Sequence, residues 1–175
     1  MKALYLWGPL THVGLAAALV ACLLDQAIKL WLLFGFQLGA KGVVPVGPFF
    51  DLVLVWNKGI SYGLFQQQGP LGQWALLLFK VLAVALLWIW LARISSWLSA
   101  LSLGLIIGGA IGNGIDRVAY GAVADFVHFY VTTATWSFSW YVFNLADVAI
   151  VVGVAGLLYD SVFGDRDAKA PRSGT

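Results

Sequence analysis

Four stretches of this chain are long and apolar enough to cross a lipid bilayer. A backbone in hydrocarbon must satisfy its own hydrogen bonds, so these stretches can only be helices of a membrane bundle. They run over about 11–34, 71–91, 97–115 and 138–163. At about 1.5 Å per residue each crosses a hydrocarbon core of about 30 Å. Only 10% of the residues are charged and the mean hydropathy is +0.89, whereas soluble domains carry about 25% charged residues. The length suits a single integral membrane domain over 1–165, followed by a polar tail over 166–175 that includes Arg166, Lys169 and Arg172. A net charge of +2 without a basic run offers nothing to nucleic acid. The one cysteine, Cys22, excludes an intramolecular disulfide. No internal repeat is visible.

The longest connection between spans, 35–70, contains two β-branched or aromatic runs, Val43–Val46 and Phe49–Trp56, punctuated by Gly and Pro. This is strand and turn chemistry, and it predicts a small extended platform on the membrane surface. Asn57-Lys58-Gly59 makes a turn, and Gln66-Gln67-Gln68-Gly69-Pro70 leads back to the bilayer. Lys80 falls inside the second span, either snorkelling or facing the bundle interior. The Gly-Gly-Ala-Ile-Gly-Asn-Gly run of the third span supplies small residues for close packing.

Positive charges and tryptophans set the orientation. Lys2, Arg93, Arg166, Lys169 and Arg172 share one side, which the positive-inside rule makes cytoplasmic, so both termini lie there. The opposite side also carries Lys29, Lys41, Lys58 and Arg117, so two tryptophan belts, one at each interface, support the placement. Asp25, Asn57, Asn113, Arg117, Asp125, Asn144 and Asp147 then all gather at the outer interface, which hydropathy alone does not require.

Val123–Ile150 concentrates the chemistry. Asp125 and Asp147 stand at its two ends among apolar residues, at the two ends of a loop that leaves and re-enters the same interface. Carboxylates at a membrane boundary are costly and usually functional. Two close carboxylates share a proton, and such a pair can activate a water against an amide carbonyl and protonate the leaving nitrogen. Asn144 is placed three residues before Asp147 on one helix face, and Asn113 and Arg117 share another, where either could hold a carbonyl or a developing oxyanion. Asp25 and Lys29 are spaced for an i, i+4 ion pair. The only histidines are His12 and His128, without an H-E-x-x-H pattern, so no zinc site is expected. His128 is read as an interfacial histidine outside the chemistry, Ser61 beside Lys58 as a coincidence in a Gly-rich turn, and Cys22 as a small buried hydrophobe rather than a lipid-attachment residue.

Five motifs carry a family resemblance: D-Q-x-x-K at Asp25–Lys29, V-x-N-x-G-x-x-Y-G at Val55–Gly63, G-G-x-x-G-N-x-x-D-R at Gly108–Arg117, V-x-D-F at Val123–Phe126 and F-N-x-A-D at Phe143–Asp147. Together they resemble the lipoprotein signal peptidases of bacteria (signal peptidase II), in the family's order and over nearly the whole chain. The resemblance implies a mostly α membrane protein, with a four-transmembrane-helix bundle, a small periplasmic β-cradle and a short periplasmic helix. It implies an inner-membrane aspartyl endopeptidase with its site at the periplasmic face, cutting diacylglyceryl-modified prolipoproteins before the lipidated cysteine. Asp125 and Asp147 match the catalytic pair. Asn57, Gly59, Asn113, Arg117, Asn144 and Ala146 match further active-site positions, and Asp25 and Lys29 the first-helix motif. The same resemblance implies no metal or organic cofactor, inhibition by globomycin, and a monomer surrounded by membrane lipids. Tyr62 and Ala124 depart mildly from the family pattern. The competing class is a proton- or ion-translocating protein, whose charged groups would lie near the midplane, often in repeated halves; a third is an assembly or anchoring protein with a polar cap.

Overall fold

The computed structural model describes residues 6–59 and 70–164. Lys2, Ser61, Tyr62, the Gln66–Gly69 run and the tail from Asp165 lie outside them. The element order is α1 (Thr11–Leu30), α2 (Leu38–Lys41), β1 (Val44–Pro45), β2 (Phe50–Asn57), α3 (Pro70–Leu91), α4 (Trp97–Tyr120), β3 (Val123–Thr132), β4 (Ser137–Ser139) and α5 (Leu145–Tyr159). α1 and α5 each continue into one π-helical turn, Trp31–Gly35 and Asp160–Gly164. Four helices have the length and hydropathy of membrane spans.

α4 is the centre of the bundle, because its glycines let two neighbours approach to backbone contact. A Cβ on Gly108 would lie 2.4 Å from the Ala18 carbonyl of α1, and one on Gly109 2.5 Å from the Ala146 carbonyl of α5. Lipid gives no hydrophobic drive for helices to associate, so this close packing is what binds them. α3 packs mainly on α4 and leaves Trp74, Phe79, Leu82 and Leu86 on the outside, as expected of a lipid-facing surface. Leu91, Ala100, Leu103 and Ile107 close the core at the end of the bundle remote from the sheet.

Two span boundaries differ from the sequence expectation. α4 runs to Tyr120 rather than stopping near Ile115, so Asn113, Asp116 and Arg117 are helical; Gly121, at φ 73°, ends it in the left-handed region that glycine favours. The last span starts at Leu145, not near Phe138, because Ser137–Ser139 pairs as β4 and Asn144 is an extended cap.

The sheet order is β1-β2-β3-β4, antiparallel throughout. The two expected runs form β1 and β2. β3 falls in the stretch expected to be a loop, and it is instead the main partner of β2. Its side chains do not alternate simply, because two successive amides, Phe126 N and Val127 N, both donate to the Phe143 carbonyl, at 3.1 and 2.8 Å. This is a β-bulge. It turns Phe126 and Val127 together into an apolar cluster with Leu32, Leu38, Leu52 and Leu54, which seats the sheet on the end of α1. The register of β2 slips between Leu52 and Val55 at the same level. The bulge leaves Asp125 and His128, three residues apart, lining one cavity.

Candidate active site

The site lies where α1 and α4 end, α5 begins and the sheet covers them. Its foundation is ionic. Lys29, 1% exposed, places its ammonium 2.8 Å from Asp25 Oδ2 and 2.8 Å from Asp116 Oδ2. The same Nζ donates to Asn113 Oδ1 at 3.0 Å. Asp25 Oδ1 accepts the Ala146 amide of α5 at 2.9 Å, and Asp116 Oδ2 accepts the Ala124 amide of β3 at 3.1 Å. Gln26 Nε2 donates to Asp116 Oδ1 at 2.9 Å and to the Gly112 carbonyl at 3.1 Å. Charges this dry survive only when paired and fully hydrogen-bonded. Asp116 and Gln26 are not among the expected site residues; they tie α4 to β3 and α1.

That foundation fixes the direction of two amides. Lys29 can only donate, so Asn113 turns its oxygen to it and its Nδ2 to Asp147 Oδ1, at 2.9 Å. Asn144 does not sit on a helix face as expected. It is the N-cap of α5, with φ −128° and ψ 179°. Its Oδ1 accepts the Asp147 amide at 3.0 Å while Asp147 Oδ2 accepts the Asn144 amide at 3.2 Å, a capping box built with an aspartate. Asn144 Nδ2 is thereby aimed outward, donating to Asp125 Oδ1 at 2.6 Å and to Asn113 Oδ1 at 3.1 Å. Asn57 Nδ2 completes the set on Asp125 Oδ2, at 3.0 Å.

Among the described residues, each of the four oxygens of Asp125 and Asp147 thus receives one N–H donor and keeps a further acceptor position. Asp125 is 3% exposed. Burial, then the charge of Asp147, push its carboxyl up to about 6, against the opposing hydrogen bonds from Asn57 and Asn144. A carboxyl that binds its proton more tightly than usual, beside a second carboxyl, suits a general acid–base pair.

Both carboxylates line a cavity of about 800 Å³, with Val148, Val151 and Val152 of α5 as an apolar wall and Val55, Trp56 and Asn57 of β2 opposite. Among the other expected site residues, Asn113, Asn144, Gly59 and Ala146 stand behind the pair. Arg117 also stands back: its Nη2 donates to the Gly59 carbonyl at 2.5 Å, bracing the turn that Gly59 N closes on Asn57 Oδ1 at 3.0 Å. Arg117 Nε and Nη1 are buried and have no partner among the described residues. Lys80 is half-buried on a separate, apolar groove between α3 and α4. Cys22 is a free thiol within unbroken α1. Among the described residues no group of His, Cys, Asp and Glu could hold a metal.

The family model of signal peptidase (SPase) II matches residues 17–163. The chain belongs to the signal peptidase II family. It is therefore a peptidase, and its four spanning helices make it a multi-pass membrane protein. Similar relatives include a lipoprotein signal peptidase of Rhodopseudomonas palustris (strain TIE-1), 61% identical over 160 residues, covering 91% of this chain and 98% of that one. Another, from Nitrobacter hamburgensis, is 61% identical over 158 residues, covering 90% and 96%. The fold is similar to that of a bacterial membrane enzyme solved by the in meso method at 2.3 Å, with TM-score 0.72 at 21% identity over 93% of this chain and 94% of that one. In signal peptidase II terms, the described parts of the five motifs meet in space: the first and third bring Asp25, Lys29, Asp116 and Asn113, the second Asn57, the fourth Asp125, and the fifth Asn144 and Asp147.

Proposed function

We propose that this family member removes the signal peptide from diacylglyceryl-modified prolipoproteins by an aspartyl mechanism, cutting before the lipidated cysteine. The observation that carries the mechanism is the pair Asp125 and Asp147 on one cavity, with Asp125 raised to about 6. The name of the relatives supports the substrate.

A water held between the carboxyls loses its proton to the ionised member while its oxygen attacks the carbonyl before the cysteine. The protonated member gives its proton to the carbonyl oxygen. As the tetrahedral centre collapses, the C–N bond breaks and a proton passes to the leaving nitrogen. The products are a carboxyl on the signal peptide and a free amine on the lipidated cysteine. Asn57, Asn113 and Asn144 hold both acids at fixed aim, and the apolar wall of α5 receives the lipid and signal segment. The chain acts as a monomer without metal or cofactor, and globomycin-type inhibitors occupy the same cavity.

The purified protein is expected to cut a diacylglyceryl-modified precursor and to leave the unmodified precursor whole; equal cutting of both would refute the substrate assignment. Arg117→Ala, which frees the turn that holds Asn57, should lower turnover by about 10²-fold, the effect of misplacing a group from a position away from the chemistry. A rate at the parent level would leave Arg117 without a role.

The positive-inside distribution and the tryptophan belts support a site at the periplasmic face of the inner membrane, with both termini in the cytoplasm. In a Cys22→Ala background, a membrane-impermeant thiol reagent should modify a cysteine at exposed Thr133, on the sheet, and miss one at exposed Ser95, at the opposite end of the bundle. The reverse labelling pattern overturns the orientation and with it the periplasmic site.

A further inference from the structure

The sheet carries a polar cluster that the acid–base pair does not use. His128 Nε2 lies 2.7 Å from Ser139 Oγ on the neighbouring strand. His128 Nδ1 lies 3.8 Å from Asp51 Oδ2, and Tyr130 donates its hydroxyl to Asp51 Oδ1 at 3.4 Å. The Tyr130 ring stacks on the imidazole at 5.5 Å and 28°, so the imidazole has a backing on one face. His128 and Ser139 line the same cavity as Asp125 and Asp147, His128 from β3 beyond the bulge and Ser139 from β4. Ser139 is exposed there.

The chemistry of the cluster is directional. The Asp51 carboxylate favours the imidazole proton on Nδ1, which makes Nε2 an acceptor. The Ser139 hydroxyl then donates to Nε2, and its oxygen keeps two lone pairs with no hydrogen of its own to offer the cavity. An oxygen held in that state takes an N–H donor. We propose that Ser139, oriented by His128, is a peptide subsite that accepts a backbone amide of the exported segment, about three residues beyond the scissile bond. The proposal rests on the cleavage reading above. Three residues of strand separate His128 from Asp125, about 10 Å, and an extended peptide advances about 3.3–3.6 Å per residue. The direction follows from polarity. The valine wall of α5 suits the apolar signal segment and the lipid, whereas β3 leads away from the helices toward half-buried and exposed residues.

Two fluorescent diacylglyceryl-modified peptides test this, one with four residues after the cysteine and one ending at the cysteine amide. Their binding to the Asp147→Asn protein is measured by anisotropy in detergent micelles. Adding Ser139→Ala should weaken the longer peptide about fivefold, the effect of one hydrogen bond, and leave the shorter one unchanged. Ser139→Thr, which keeps the hydroxyl, should bind both as the parent does, and His128→Phe should follow Ser139→Ala, as a positioning residue must. In the otherwise unaltered protein, Ser139→Ala should raise KM for the longer peptide with kcat within about twofold. Unchanged binding of the longer peptide, or equal weakening of both, overturns the subsite. If length-dependent binding is found while the unaltered protein cuts neither peptide, the cleavage reading fails and the subsite stands.

Discussion

Asp125→Asn and Asp147→Asn should each abolish cleavage of a lipidated precursor, with the double variant little worse than either. Asparagine preserves shape and part of the hydrogen bonding, but it neither accepts the water's proton nor donates an acidic one. Loss of general acid–base function typically costs about 10²–10⁴-fold, and residues that act as one unit lose their effect together. A correctly folded Asp147→Asn protein cutting near the parent rate would end the aspartyl assignment. The rate should be bell-shaped in pH, because one carboxyl must hold a proton while the other does not, and its two limbs belong to the pair. Stability offers a second reading of the same group. Asp125 is raised to about 6 in the fold, against about 3.9 unfolded. Between those values the folded state holds the proton that the unfolded state has lost, so stability falls as pH rises, and the penalty is complete above about 6. Removing it is worth up to about 3 kcal/mol, offset by about 1 kcal/mol for a hydrogen bond that an amide group would break. Asp125→Asn should therefore raise Tm at pH 8 and lose that gain at pH 4, while killing activity at both.

Lys29→Met should cost more stability than any change at the pair. It strips the ammonium from between Asp25 and Asp116, each 0% exposed. Breaking a buried ion pair by deleting one partner typically costs about 3–5 kcal/mol, which for a chain of this size lowers Tm by roughly 10 °C. Asp25→Asn in the same protein should restore part of the loss, since one unpaired charge is then removed, and that coupling separates an ionic cause from simple loss of packing. Thermal unfolding in detergent measures both. A Tm within about 2 °C of the parent would show that the foundation carries no net stability.

The spans were legible because hydropathy depends on composition over twenty residues and tolerates any local detail. Their ends were not, because they depend on single residues: Gly121 carries α4 past Ile115, and Asn144 postpones α5 to Leu145. β3 escaped for a related reason. Strand recognition relies on a period of two, and the bulge puts Asp125 and His128 on one wall at a spacing of three. The gathering of Asp125, Asp147, Asn57, Asn113 and Asn144 is readable from topology, whereas which amide faces which carboxylate follows from Lys29 for Asn113, from the capping box for Asn144 and from the Gly59 amide for Asn57. Arg117 shares a helix face with Asn113, as its spacing predicts, but its bond to the Gly59 carbonyl depends on a turn that spacing does not show. His128 was set aside for want of a motif; its partners Asp51 and Ser139 come from other strands, and only the register brings them together.

The bond from Ala146 to Asp25 joins the first turn of the last helix to the first helix, across 121 positions of sequence. Asp147 is the next residue along, and the amide that steadies it, Asn113, takes its bearing from the same lysine that pairs with Asp25. The proposed acid–base pair is therefore complete only once the earliest and latest spans have met around α4. A nascent chain still leaving the insertion machinery, or one with a helix misplaced, holds both aspartates but no competent pair. On the aspartyl mechanism proposed above, the enzyme is harmless when newly made and gains its activity only with the completed bundle.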